Sequence, residues 1–92
     1  MSESRIIYKY TLGESNVIEI PENPIFLKVA VQGESTVLWV LVDPHNEKKS
    51  YQVATVFTGW PFHKDAINGM DYIGTGQIKE IVQHWFIGLK VN

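Results

Sequence analysis

The sequence predicts a mostly β domain: a small antiparallel sandwich or curled sheet of six or seven strands, with little or no helix. Three observations carry that expectation. Apolar residues recur at every second position along most of the chain, which is the period of a strand. Gly, Pro, Asn, Asp and Ser gather between the alternating runs, where turns need them. Helical spacing is nearly absent, and a single turn around Phe62 to Asn68 is the one place that admits it.

Arg5 to Leu12 opens the series, with Ile6, Tyr8 and Tyr10 alternating with Ile7, Lys9 and Thr11. Gly13 to Asn16 is turn chemistry. Val17 to Ile20 is a short strand stopped at Pro21, because proline cannot donate to a ladder. Ile25 to Gln32 follows, and its alternation puts Ile25, Leu27, Val29 and Val31 on one face and Phe26, Lys28, Ala30 and Gln32 on the other. A tight turn at Gln32 to Ser35 leads into Thr36 to Val42, the clearest hairpin in the chain. That return strand is apolar on both faces, so it belongs at the centre of a sheet and covered twice, with Trp39 in its middle. Asp43 to Lys49 reads as a polar loop, Tyr51 to Thr58 as a strand, and Gly59 to Met70 as the longest stretch without periodicity. Asp71 to Ile78 and Ile81 to Val91 complete the set, around a turn or bulge at Lys79-Glu80.

Size and composition narrow the function. The 92 residues suffice for a single domain spanning 1–92. A chain this short buries only about 60–65% of its unfolded surface, so its stability is marginal unless something is added. There is no cysteine, which excludes disulfides and thiolate metal sites. Hydrophobic content of 45% with 12% aromatics exceeds what so small a core can hide, which predicts a homo-oligomer. The net charge is −2 and the basic residues are scattered, so a nucleic-acid polymer is not the expected partner. No apolar run approaches the ~20 residues of a membrane span. The first ten residues lack a signal-peptide core, so a cytoplasmic location is the default expectation.

The residues that carry chemistry lie mainly in two segments. Trp60 and Phe62, in the loop Gly59 to His63, are costly to leave in water; they fold back as a lid or wait for a partner or flat ligand. Tyr72 to Gln77 holds two glycines in a strand-like run, the mark of a bulge or a close backbone approach. Its amides and the Thr75 hydroxyl also suit an anionic ligand. No Lys-Ser/Thr follows, so it is no nucleotide loop of the familiar kind. His45, His63 and His84 have no metal spacing, and the expectation is no metal and no cofactor. His84, beside Trp85, reads as a histidine half-buried by its neighbours. Ser15, Ser35 and Ser50 lack any nucleophile-elbow pattern, and Asp65 and Asp71 read as solvated loop acids, so an enzyme is not expected. Flat rings with polar tips, by contrast, are what recognises a nucleobase.

Several segments together resemble a family of short phage and prophage proteins of unassigned function. They are Tyr8-Lys9-Tyr10, Ile18 to Pro21, Leu38 to Pro44, Thr58 to Pro61, Tyr72 to Gln77 and His84-Trp85-Phe86. The chain departs from that pattern at Trp60, where a histidine is expected, and in a longer tail after Phe86. The resemblance implies a small, oligomeric phage accessory protein acting in the cytoplasm of an infected bacterium. Proteins of this build include counter-defence sponges of the kind called Sequestin or Lockin. These capture nucleotide-derived immune signals, such as cyclic dinucleotides or the cyclic ADP-ribose-type messengers of TIR-based Thoeris defence.

The expected function is therefore non-enzymatic capture of a nucleotide-derived signal. Trp60 and Tyr72 would stack on the base or ribose, and Thr58, Gly59, Thr75 and Gln77 would hold polar edges and phosphates. Arg5 and Lys28 would supply charge. The alternative is a phage accessory protein or inhibitor that grips another protein through the same apolar surface. A small hydrolase acting on the same messengers is the third reading.

Overall fold

The computed structural model describes residues 4–13 and 16–90 and contains seven β-strands. They are β1 (Ile6–Leu12), β2 (Val17–Pro21), β3 (Ile25–Gln32), β4 (Ser35–Val42), β5 (Lys48–Phe57), β6 (Asp71–Ile78) and β7 (Ile81–Leu89). They form two antiparallel sheets, a three-stranded β1-β4-β3 and a four-stranded β2-β5-β7-β6, and the described residues contain no helix. This is the small all-β sandwich the alternation predicts. The turn expected to be helical, Phe62 to Asn68, instead runs through successive tight turns closed at His63–Ala66, Asp65–Asn68 and Ile67–Met70. No helix is long and apolar enough to cross a membrane.

The most apolar strand of each sheet sits inside it. β4 lies between β1 and β3, and Leu38, Val40 and Val42 point inward with almost no exposure. β7 lies between β5 and β6, and its inward residues Trp85 and Ile87 close the core from the other side. Each fully buried aliphatic side chain contributes about 1.5–3 kcal/mol relative to an exposed one. Leu12, Ile20, Val29, Tyr51 and Val53 complete the buried cluster, with Tyr8, Tyr10 and Ile73 packed against it.

Two departures from simple alternation matter. The β3–β4 register shifts between Phe26 and Lys28. That bulge brings Phe26 opposite Val40 and into contact with the core, where its ring meets Tyr51 edge-on at 6.3 Å. Ile25 and Leu27, expected to share the face of Val29 and Val31, are exposed instead. A bulge adds one residue to one strand, so the alternation preceding it is inverted. Second, β5 begins at Lys48, where the sequence suggests a loop, because Glu19 to Pro21 of β2 pair with Lys48 to Ser50.

The sheets approach most closely where β6 crosses β3. A Cβ on Gly74 would stand 2.6 Å from Val29 Cβ, and one on Gly76 2.9 Å from Val31 Cγ2. The two glycines of the Tyr72–Gln77 segment therefore face inward and permit close packing. The segment is a bulged edge strand, with its irregularity between Tyr72 and Gly74.

Candidate functional site

The inward glycines settle where their neighbour goes. Successive side chains of a strand point to opposite faces, so Thr75, between Gly74 and Gly76, projects outward. It stands opposite His84 of β7, which in turn stands opposite Val56 of β5. One row along, Tyr72 stands opposite Phe86, their rings 5.6 Å apart and edge-on.

The connection from β5 to β6 crosses this same face. The two strands run parallel on either side of β7, so the chain must pass over β7 to join them. Thr58 prolongs the ladder by donating its N–H to the Val82 carbonyl at 3.1 Å. Gly59 then turns at φ 82°, and the Trp60 ring settles on Phe57 with centroids 5.1 Å apart. At the far end Met70 and Gly69 lie against Gly88, where a Cβ would come within 3.2 Å of Met70 Cγ.

These elements bring four polar side chains into one chain of hydrogen bonds. The Tyr72 hydroxyl bonds the Thr75 hydroxyl. Thr75 Oγ1 lies 3.0 Å from His84 Nδ1, and His84 Nε2 lies 2.6 Å from Thr58 Oγ1. A neutral imidazole donates from one nitrogen and accepts at the other. With the proton on Nδ1, Thr58 donates to Nε2 and the hydrogen pattern runs on through Thr75, leaving the Tyr72 hydroxyl hydrogen free. With the proton on Nε2 the pattern reverses, and the Thr58 hydroxyl hydrogen is the free one. When both nitrogens carry protons, both ends of the chain present hydrogens outward. The array thus adapts to a neutral ligand and, once protonated, becomes a donor set for an anion.

The Tyr72 ring ends the chain and is 58% exposed; Trp60, 61% exposed, follows Thr58 by two residues, but its ring rests on Phe57, whose side chain alternates to the face opposite His84. Thr58, Tyr72 and Thr75, all expected as ligand-binding residues, come together on this face; Gly59 and Trp60, expected with them, follow Thr58 in the chain, and the Trp60 ring turns to Phe57 instead. Gln77 lies two residues along β6, where its side-chain amide donates to the Lys79 carbonyl at 3.0 Å. Lys28 belongs to β3 of the other sheet, and Arg5 immediately precedes its strand β1. Arg5 pairs with Asp43 at 3.4 Å, and Lys28 stands opposite Trp39 on the outer face of the three-stranded sheet. Neither joins the chain of hydroxyls. His84, which links it, is not among the residues expected from sequence. Among the described residues, no three His, Asp or Glu side chains converge as metal ligands.

A family model described as a domain of unknown function, DUF7352, matches residues 3–90. No curated protein and no solved structure matches the chain.

Proposed function

The chain belongs to the DUF7352 family, a domain of unknown function, and we propose that this member works by binding a nucleotide-derived small molecule without cleaving it. The observation that carries the reading is the hydroxyl–imidazole chain Tyr72–Thr75–His84–Thr58, ended by the exposed ring of Tyr72, with the exposed Trp60 two residues beyond Thr58. Rings of this kind stack on a base, at about 1–3 kcal/mol each. The polar chain meets ribose hydroxyls in its neutral form and phosphate oxygens in its protonated form. Taken with the resemblance to short phage proteins, the biological role is that of a counter-defence sponge. It would hold a cyclic ADP-ribose-type or cyclic dinucleotide signal in the cytoplasm of an infected bacterium, as a homo-oligomer.

The test is a thermal-shift screen against cyclic dinucleotides, cyclic ADP-ribose isomers and ADP-ribose conjugates. Ligand at ~100-fold above Kd adds about 2.7 kcal/mol, which in so small a domain raises the midpoint by roughly 11–22 °C at 4–8 °C per kcal/mol. Trp60→Ala should weaken capture while leaving the unliganded midpoint nearly unchanged, because the ring is exposed. The ligand should be recovered intact after the protein is denatured; a cleaved product would mean a hydrolase. No shift across the panel would sink the sponge reading.

A second reading has its own observation. Ile7, Ile25 and Leu27 stand exposed around the three-stranded sheet, an apolar surface suited to gripping another protein. Loss of partner binding on changing these residues, with no response to any nucleotide, would favour it.

A further inference from the structure

Each sheet ends in two edge strands, β1 and β3 in one layer and β2 and β6 in the other. An edge strand offers unpaired N–H and C=O groups to any other chain, and folded proteins guard such edges with bulges, prolines, charges or a covering element. Three of these edges are guarded. β3 and β6 lie against each other, where Gly74 and Gly76 meet Val29 and Val31. Each also has a register shift, between Phe26 and Lys28 and between Tyr72 and Gly74. β2 is five residues long, carries the exposed Glu19 and ends on Pro21, which has no N–H to offer.

β1 has none of these devices. Its seven residues pair with β4 without a shift, and it contains no proline, glycine or carboxylate. Among the described residues, no backbone hydrogen bond reaches β1 from outside its pairing with β4. Two cations lie on or beside it, and both lean away from the open side. The Lys9 ammonium donates to Gln32 Oε1, beyond β4 on β3, at 3.4 Å. Arg5 reaches Asp43, just past the end of β4, at 3.4 Å. Ile6 and Ile7 are left 43% and 56% exposed.

The sequence of this edge is self-complementary. Read from Ile6 to Leu12 or back again, the strand is nearly the same about Lys9: Ile6 matches Leu12, Ile7 matches Thr11, and Tyr8 matches Tyr10. Two copies placed antiparallel about a two-fold axis at Lys9 oppose aliphatic to aliphatic, β-branched to β-branched and ring to ring, the pairs that stabilise antiparallel strands. Matched residues share a parity, so inward side chains continue the inner face and outward ones the outer. The one unfavourable pair is Lys9 with itself, and its ammoniums are the ones drawn aside toward Gln32.

We propose that the protein dimerises by antiparallel pairing of β1 with β1 of a second copy, in the register centred on Lys9. The two three-stranded sheets then form one continuous sheet. This pairing is the contact behind the homo-oligomer of the proposed function, and it does not depend on what the His84 face captures.

The chain has no cysteine, so introduced thiols report cleanly on contacts. Directly opposed residues of antiparallel strands have Cα atoms about 4.5–5.5 Å apart, within the roughly 4.4–6.8 Å that a disulfide spans. Lys9→Cys, oxidised with glutathione disulfide, should convert nearly completely to a covalent dimer. Ile7→Cys lies on the same face of the same strand, yet in this register its two copies stand about 14 Å apart and should not crosslink. Mixed with Thr11→Cys, it should give a crosslinked heterodimer, because those positions oppose. Lys28→Cys, on the far edge of the sheet, should stay uncrosslinked. Sedimentation velocity of the parent protein across a concentration series should show passage from monomer to dimer. A parent that stays monomeric, Lys9→Cys that crosslinks no faster than Lys28→Cys, or Ile7→Cys that crosslinks alone would each overturn the proposal. None of these results bears on nucleotide capture, which the thermal-shift screen tests separately.

Discussion

On the three-stranded side, the outward face carries Ile7, Leu41 and Ile25 across one row and Lys9, Trp39 and Lys28 across the next. On the four-stranded side, the matching rows are Ala54, Phe86 and Tyr72, then Val56, His84 and Thr75. Both faces rest on the same pleat, and each is centred on an apolar strand. They differ in what crosses them. β5 and β6 are parallel with β7 between, so a connection had to traverse one outward face; it brought Thr58 with it. The three-stranded sheet has no such crossing among its described residues, and its Ile7 and Ile25 stand 56% and 58% exposed. Connectivity, more than composition, decided which face acquired polar chemistry.

The largest expected effect comes from breaking the contact that turns Thr75 outward. Gly74→Ala puts a methyl 2.6 Å from Val29 Cβ, and overpacking of that kind costs about 1–3 kcal/mol. Chemical denaturation should find the loss, and the Thr75–His84 bond should go with it. His84→Phe makes the polar face resemble the apolar one. It should reduce ligand capture about tenfold, or 1.4 kcal/mol, while the unliganded midpoint moves little; unchanged capture would remove the hydroxyl–imidazole chain from the site.

Lys79→Gly acts in the other direction. Lys79 holds φ 56° in the two-residue turn between β6 and β7, a conformation that costs a side chain roughly 1–2 kcal/mol. Glycine should recover about 1 kcal/mol of that, read as a higher unfolding midpoint; a lower one would mean that the lysine side chain contributes more than its backbone costs.

The smallest effect compares the two layers from inside. Burial raises the Tyr10 phenol, with Tyr8 adding to it. Burial also raises Tyr51, with Glu22 adding and Lys49 opposing. A raised phenol keeps its proton in the folded state when the unfolded chain, at 10.0, has begun to lose it. The stability involved is present below that pH and is lost as pH rises through the folded values. A thermal-midpoint series should stay level for this contribution up to about pH 10 and fall above it. Tyr10→Phe and Tyr51→Phe should each flatten part of the fall.

Strand positions were legible because alternation and turn residues are local. The Phe26 inversion was not, since nothing in Ile25 to Gln32 marks which residue is extra. Lys48 and Lys49 look like loop residues, and only pairing with β2 makes them strand; there Ser50 Oγ reaches Glu19 Oε2 at 2.5 Å. The glycines of Tyr72 to Gln77 mark a bulge or a close approach, and Val29 and Val31 supply what is approached. Beside Trp85, His84 reads as a half-buried histidine, and its partners Thr58, just past β5, and Thr75, on β6, lie 26 and 9 residues away. No spacing rule joins Thr58, Thr75 and His84 before the strand order is known. Charge alone groups Arg5 and Lys28 with them, and the topology puts Lys28 on β3 of the opposite sheet and Arg5 immediately before β1.

The position of β7 also sets a timetable for the nascent chain. The four-stranded sheet is held together through residues 81–89, which are made after every other strand in it. While the ribosome is still producing them, β5 has only β2 beside it and β6 has no partner in its own sheet. Trp85 and Ile87, which close the core from that side, arrive in the same late stretch. Folding must therefore wait for nearly the whole chain and then complete long-range pairings together, the kind of topology associated with millisecond-to-second folding. A chain stopped short of residue 81 would lose the middle of its sheet and expose two strand edges to whatever lies nearby.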